Sequence, residues 1–173
     1  MTDINSDPPA AGLSEETLRL DMELLFYAYR DFTADPDAIL AQYRFGRAHH
    51  RVIYFVGRNP DITVSELLRI LRITKQSLSR VLSQLVRQSF VVQRPGARDR
   101  RQRLLRLTAS GERLERALAE PQWARITAAC QAAGPEAVAG YRAMLLGMID
   151  GADRRTLLDR ALLYRARRGA DEA

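Results

Sequence analysis

Residues 62–87 have the sequence ITVSELLRILRITKQSLSRVLSQLVR, and this stretch decides the fold. It contains two helix starts with the same local chemistry. In the first, Thr63 is placed to cap the helix and Glu66, three residues later, to bond back to the cap. In the second, Thr74 takes the place of the cap. Only residues 71–73 separate the two helices, which is the connection length of a helix-turn-helix.

The second of these helices has two chemically different faces. Its apolar residues recur at positions 78, 81, 82 and 85, which is the spacing of one buried face. The opposite face is polar and contains three serines, although serine is a mediocre residue for a helix interior. Because short hydroxyls let a helix approach phosphates and base edges, we favour a face that meets a DNA groove over a plain solvated face. The candidate contacts are Thr74, Lys75, Gln76, Ser77, Ser79, Arg80 and Ser83.

A short hairpin is predicted after the second helix. Residues 90–94 have the composition of a strand, Pro95 and Gly96 end it, and residues 104–107 form the returning strand before Thr108 caps a new helix. Six arginines between positions 94 and 106 accompany a single acid. A solvated turn rarely needs so many guanidinium groups, whereas arginine suits bidentate phosphate contacts and insertion into a narrow minor groove. The candidate contacts of the hairpin are Arg98, Arg100, Arg101 and Arg103.

The hairpin also carries DRR at residues 99–101, followed by LTASG at residues 107–111. With the order of the elements, these motifs resemble the MarR family of winged helix-turn-helix transcription regulators. The resemblance implies that Asp99 fixes the base of the hairpin, or wing, and that Arg101 enters the minor groove. It also implies that residues 75–83 lie in the major groove as the recognition helix.

The resemblance covers roughly residues 44–118, and the chain departs from the family pattern at one place within them. The family usually has glycine between the recognition helix and the first wing strand, where this chain has Ser89. A positive φ there would cost a residue other than glycine on the order of 1 kcal/mol. We therefore expect the recognition helix to end with a slightly different geometry.

The predicted fold is mostly α, with a small β-hairpin wing. We expect a single domain over residues 1–173, with a winged helix-turn-helix lobe at 44–110 and dimerisation helices at 13–43 and 111–166. The first helix has an apolar face too broad for one neighbour, which fits burial against a second subunit, although a well-packed monomer core explains that segment equally well. By the resemblance, the terminal helices pair two chains, so that two recognition helices lie about one DNA turn apart over a palindromic site.

Proline and glycine predict where the flanking helices are interrupted. A helix capped by Ser14 is expected to run to about Phe32, with a break before Pro36. Pro121 is expected to kink or interrupt the helix that follows the wing, and Gly134 to open the last helix.

Charge and composition narrow the class of function. Residues 44–106 carry a net charge of +12, whereas residues 1–43 carry −7 and residues 107–173 carry +1. A basic centre of this kind is the electrostatic footprint of a polyanion-binding surface. The sequence shows no membrane-spanning run and no signal peptide, and its single cysteine precludes an internal disulfide. We therefore expect a cytoplasmic protein with double-stranded DNA as its partner.

Three side chains are of the types used in metal or redox chemistry. His49 and His50 are adjacent, so on a helix they point about 100° apart and cannot chelate one metal from a single face. We expect one buried, hydrogen-bonded histidine and one exposed histidine, with no metal and no cofactor. Cys130 is interpreted as an inert thiol of a C-terminal helix, not as an oxidant sensor.

A ligand pocket is a further hypothesis, because members of the family bind small, often aromatic, acidic effectors between the dimerisation helices and the DNA-binding lobe. Aromatic residues are frequent in the corresponding segments, with arginine and histidine as polar groups, although core packing explains most of these aromatic residues equally well. The candidate pocket residues are Tyr27, Phe45, Arg47, His50, Arg51 and Tyr54.

Three functions follow from these features. The leading prediction is a dimeric, sequence-specific DNA-binding regulator, a repressor released by an effector. The alternative is a winged-helix protein-interaction module whose arginines dock an acidic partner, although such a surface is expected to offer more apolar anchors. An enzyme is not predicted, since the sequence has no phosphate loop, nucleophile elbow or paired carboxylates near a histidine.

Overall fold

A computed structural model describes residues 13–96 and 99–159. Its order of elements is α1 (Glu15–Ala41), α2 (Arg47–Arg58), β1 (Ile62–Thr63), α3 (Val64–Leu71), α4 (Lys75–Arg87), β2 (Val91–Pro95), β3 (Arg103–Leu107) and α5 (Ala109–Met148). Residues 151–159 are also helical. The prediction of a mostly α fold with a small β wing is confirmed. Residues 1–12 and 160–166, which belonged to the predicted tail and last helix, lie outside the described part of the chain.

The chain divides into two compact units, one up to Arg125 and one from Ile126 onward. The first unit holds the sheet, α1 to α4 and the beginning of α5. In the second, α5 changes direction at Gly134, whose φ of 81° lies in the left-handed region. The predicted start of a new helix at Gly134 is confirmed. None of the helices described here is long and apolar enough to cross a membrane.

The two helix starts of the helix-turn-helix are capped as predicted. At α3, the Thr63 hydroxyl accepts a hydrogen bond from the Glu66 amide at 3.1 Å, and the Glu66 carboxylate accepts one from the Thr63 amide at 2.8 Å. This backbone hydrogen bond is the main reason that the pKa of Glu66 lies below its ordinary value. At α4, the Thr74 hydroxyl accepts from the Ser77 amide at 3.1 Å. Local side-chain chemistry thus sets both boundaries.

The sheet has three antiparallel strands in the order β1-β3-β2, one more than the predicted hairpin. Within the hairpin, Val91 lies opposite Leu107 and Pro95 opposite Arg103. The extra strand is only two residues long, and its Ile62 pairs with Leu105. Sequence periodicity gives no signal for a strand this short, because tertiary pairing alone defines it. The strand ties the start of α3 to the wing.

One hydrophobic core joins α2, α4, the wing and the start of α5. Its fully buried members include Ile53 of α2, Leu85 of α4, Leu105 of β3 and Leu118 of α5. The start of α5 approaches the wing so closely that a Cβ atom built on Gly111 would lie 2.1 Å from the carbonyl oxygen of Phe90. Only glycine fits at this position.

The predicted break before Pro36 is wrong, because α1 continues through it to Ala41. Proline has no N–H, so the carbonyl of Phe32, four residues earlier, loses its helical donor. The side-chain amide of Gln122 in α5 donates to this carbonyl at 3.2 Å. A contact from a distant part of the sequence therefore lets the helix continue. The helix of α5 likewise runs through Pro121, and its interruption comes at Gly134 instead.

The end of α4 also differs from expectation. Ser89 adopts the positive φ of 61° that the family's glycine would favour, so the predicted change of geometry is wrong. The Phe90 amide donates to the Leu85 carbonyl at 2.9 Å, and the Thr108 hydroxyl donates to the Ser89 carbonyl at 2.6 Å. These hydrogen bonds over-determine the turn and offset the strain of a left-handed serine.

Candidate nucleic-acid interface

Helix α4 separates its buried and exposed residues as predicted. Leu78, Val81, Leu82 and Leu85 are buried in the core. All seven candidate contacts of this helix and its cap are exposed: Thr74, Lys75, Gln76, Ser77, Ser79, Arg80 and Ser83. They form one continuous polar surface over three helical turns.

Hydrogen bonds within α4 determine which hydroxyl protons remain available. Ser83 donates to the Ser79 carbonyl at 2.8 Å, so its oxygen is left mainly as an acceptor. Thr74 donates to the Ser77 hydroxyl at 2.9 Å, so the proton of Ser77 is not used in this hydrogen bond. The face therefore offers both donors and acceptors, as contacts with phosphates and base edges require.

The wing presents its arginines to solvent around a tight turn. Arg100, Arg101 and Arg103 are exposed, whereas Arg98 lies outside the described residues. The carboxylate of Asp99 accepts a hydrogen bond from the Arg101 amide at 2.9 Å, so Asp99 orders the turn in front of this arginine. Gly96 permits the turn, because a Cβ there would lie 2.8 Å from the carbonyl oxygen of Asp99.

Arg106 has a different role from the other hairpin arginines. Its guanidinium group forms a two-pronged ion pair with Asp61, in the loop before β1. The hydrogen bonding between the two side chains is the main reason that the pKa of Asp61 is lowered and the pKa of Arg106 is raised. Arg106 therefore fixes β3 to the helix-turn-helix. Asp61 was missed in the sequence, where no spacing rule joins positions so far apart.

The candidate effector residues do not share one environment. Phe45 is buried in the core and stacks on His49, which removes it from any open pocket. Arg47 pairs with Asp37 at 2.9 Å, and Arg51 donates to the Tyr29 hydroxyl at 3.2 Å. The remaining three residues are open to solvent to different degrees: Tyr27 and Tyr54 are exposed and His50 is half-buried.

The two histidines divide broadly as expected. His49 is buried and hydrogen-bonded on both ring nitrogens. His50 is half-buried, not exposed, and burial lowers its pKa below the ordinary value of 6.5. Among the described residues, no three His, Cys, Asp or Glu side chains are grouped to hold a metal ion. Cys130 is a free, partly buried thiol.

A cavity of about 360 Å³ lies away from both sets of candidate residues. Burial raises the pKa of Glu115, one of the carboxyl groups at its wall. No pattern in the sequence predicted this cavity. Its lining consists of Val56, Gly57, Arg58, Pro60, Arg106, Leu107, Glu112, Glu115 and Trp123.

Much apolar surface of the flanking helices is exposed in the single chain, so a well-packed monomer core does not explain the first helix. Met22 is 73% exposed and Phe26 is 64% exposed. The exposed apolar residues of α1 are Leu18, Leu20, Met22, Leu24, Leu25, Phe26, Tyr27 and Tyr29. Those of the second unit are Ile126, Tyr141, Met144, Met148, Leu157 and Leu158.

Comparison with known proteins agrees with this architecture. A profile of the MarR family matches residues 45–102. The HTH-type transcriptional regulator PetP of Rhodobacter capsulatus is 53% identical over 143 residues, which cover 83% of this chain and 86% of that protein. The chain belongs to the MarR family. Family members are DNA-binding transcriptional regulators and not enzymes, so both predictions of class are confirmed.

Solved structures of MarR-family proteins share the fold. Streptococcus pneumoniae FabT in complex with DNA has a TM-score of 0.67 at 21% identity, covering 76% of this chain and 94% of FabT. A mutant form of Escherichia coli MarR, in complex with operator DNA, has a TM-score of 0.60 at 20% identity. That match covers 81% of this chain and all of that one.

Proposed function

We propose that this MarR-family regulator is a dimeric repressor that binds a palindromic operator in the cytoplasm and releases it when a small effector binds. The observation that carries the proposal is the exposed polar face of α4 beside the arginine-rich wing. Both belong to the segment with a net charge of +12. That charge and the donors on α4 match the phosphates and base edges of a DNA duplex.

The roles within this interface follow from chemistry. Residues 75–83 lie in the major groove, where Gln76 and Arg80 have the side chains for bidentate base contacts. Arg101 and its neighbours on the wing contact phosphates and the minor groove. The solved FabT and MarR complexes contain DNA, which supports the same use of this fold here.

The dimer is supported by the exposed apolar surface of α1 and of the second unit. Exposed apolar patches of this extent mark protein interfaces in soluble proteins. A two-fold dimer covers such a surface with a copy of itself and sets two recognition helices about one DNA turn apart.

Three alanine substitutions test the DNA interface by fluorescence anisotropy, with DNA from upstream of the protein's own gene, a scrambled duplex and a salt series. We expect the native protein to prefer its own DNA by about a thousandfold, the lower end for specific regulators. Arg101→Ala is expected to weaken binding to both duplexes and to reduce the salt slope by about 0.9, since one phosphate contact is lost. Gln76→Ala and Arg80→Ala are expected to change base preference by about 1–3 kcal/mol each.

Arg116→Ala is the control, because it removes an exposed arginine from α5, outside the lobe and outside the exposed apolar surface that supports the dimer. It should leave both affinity and salt slope unchanged. Unaltered DNA binding in all three interface variants would overturn the assignment of α4 and the wing.

The effector site is proposed around His50, Arg51 and Tyr54 on α2, with Arg47 at its edge. Since burial depresses the pKa of His50, its imidazole is neutral at pH 7. A bound carboxylate favours the imidazolium form and raises that pKa. The affinity for salicylate-like acids is therefore expected to increase as the pH falls from neutrality through the range in which His50 titrates, with proton uptake on binding.

Isothermal titration calorimetry in two buffers of different ionisation enthalpy measures this proton uptake. His50→Gln keeps a polar side chain and should abolish the pH dependence while the arginines still attract the anion. Absence of binding heat, at acid concentrations that also leave DNA affinity unchanged, would exclude this site.

A further inference from the structure

His49 forms a hydrogen-bonded bridge between α2 and the recognition helix α4. Its ring is buried and lies flat on Phe45, with the ring centroids 4.5 Å apart and the planes at 8°. Nδ1 accepts a hydrogen bond from the Gly46 amide at 3.1 Å, so the neutral ring carries its proton on Nε2. Nε2 in turn donates to Oε1 of Gln84 at 2.5 Å. Both ring nitrogens are thus used, one within α2 and one across to α4.

Gln84 occupies the boundary between the two faces of α4. It is half-buried, with Leu85 in the core on one side and the exposed Ser83 on the other. Arg80 lies one turn earlier, only about 40° around the helix from Gln84. A contact that holds the Gln84 side chain therefore also restrains the adjacent exposed face.

Among the residues that the structure describes, the buried side chains of α4 are all apolar: Leu78, Val81, Leu82 and Leu85. Apolar burial has little directional preference, so it holds the helix in place more firmly than it sets the rotation about its axis. A hydrogen bond is directional and weakens steeply when its angle changes. The bond between His49 and Gln84 is therefore the contact best suited to set that rotation.

We propose that His49 is a positioning residue that sets, through Gln84, the rotation of α4 and hence the direction of Arg80 and Ser83. The inference rests on the proposed function, in which α4 enters the major groove. In this proposal, the hydrogen bond from His49 to Gln84 contributes to sequence specificity. The hydrogen bond from the Gly46 amide to His49 only caps α2.

Two substitutions separate these bonds. In His49→Gln the side-chain amide nitrogen lies near the position of Nε2, so a donor to Gln84 is retained and the acceptor for Gly46 is lost. In His49→Asn the amide oxygen lies near the position of Nδ1, so the cap is retained and the donor to Gln84 is lost. Gln84→Leu removes the acceptor at similar side-chain size and leaves the cap untouched.

The measured quantity is the ratio of affinities for the upstream and scrambled duplexes. His49→Asn and Gln84→Leu are expected to lower this ratio about tenfold, the effect of one lost buried hydrogen bond, with the affinity for scrambled DNA unchanged. His49→Gln is expected to stay within about twofold of the native ratio, since it keeps that bond. If the ratio of affinities fell equally in the two His49 variants, or fell further in His49→Gln, His49 would act only as a helix cap and the positioning role would be overturned.

Amide NMR spectra of the free protein test the same inference without DNA. The amides of Arg80 and Ser83 should shift in His49→Asn and remain in place in His49→Gln. Unshifted amides in His49→Asn would overturn the positioning role. If the expected shifts occur but the native protein does not prefer its upstream DNA, the positioning role stands and the proposed function fails.

Discussion

Gly111→Ala is expected to destabilise the winged lobe by about 3 kcal/mol, the upper end of the usual cost of overpacking a core. The added Cβ would lie 2.1 Å from the carbonyl oxygen of Phe90 and 3.2 Å from the Cβ of Leu107. The Phe90 carbonyl also accepts the Thr108 amide at 3.0 Å, so it cannot move away without losing that hydrogen bond. The closest contact of the added Cβ is with a backbone atom, so no flexible side chain can move to relieve it.

Thermal unfolding measures this effect, with a decrease in Tm of roughly 6–12 °C for a chain of this size. Gly140→Ala is the matched control, because Gly140 lies inside α5 and a Cβ there meets no atom within 4 Å. Since alanine is the better helix former, the control should be stabilised by about 0.5–1 kcal/mol. Equal stability of the two variants would contradict the close contact between α5 and the wing.

The same glycine shows why the winged lobe was largely predictable from the sequence. It belongs to the LTASG motif at residues 107–111, and the helix caps at Thr63 and Thr74 are equally local. Each of these features depends on only three or four neighbouring residues, because the capping residue and its hydrogen-bond partner belong to one helical turn. The polar face of α4 was likewise found from its spacing alone, since one helix places those residues on one side.

The features that the sequence did not reveal depend on contacts between distant residues. Gln122 satisfies the carbonyl freed by Pro36, and Asp61 engages Arg106. The bond between His49 and Gln84 is of the same kind. Propensity and periodicity depend on a residue's neighbours along the chain. They therefore cannot predict contacts with residues that are distant in the sequence, even where such contacts decide the local structure. Buried Phe45 was assigned to a ligand pocket for the same reason.

Replacing Met22 and Phe26 together with glutamate is expected to separate the dimer into monomers. The two residues are four positions apart, so they lie on one face of α1, where both are exposed in the single chain. Two-fold symmetry repeats each change, so four carboxylates would enter an apolar interface. Burying unpaired charges costs several kcal/mol each, which an interface of ordinary stability does not offset.

Analytical ultracentrifugation at micromolar concentration measures directly whether the protein is a monomer or a dimer. Asp21→Lys is the control, because it makes a change of charge of equal size on α1 at a position about 100° from Met22 and about 140° from Phe26 around the helix. It should remain dimeric. A native protein that sediments as a monomer at this concentration would overturn the proposed dimer.

The variant with glutamate at positions 22 and 26 should lose about 10²–10⁴-fold in affinity for the upstream DNA, because the second half-site is no longer bound by a tethered partner. The polar face of α4 and the wing remain intact in each monomer, so the salt slope per lobe should persist at the lower affinity. A dissociated variant with native DNA affinity would mean that one lobe suffices for recognition. The palindromic operator would then have no physical basis in this chain.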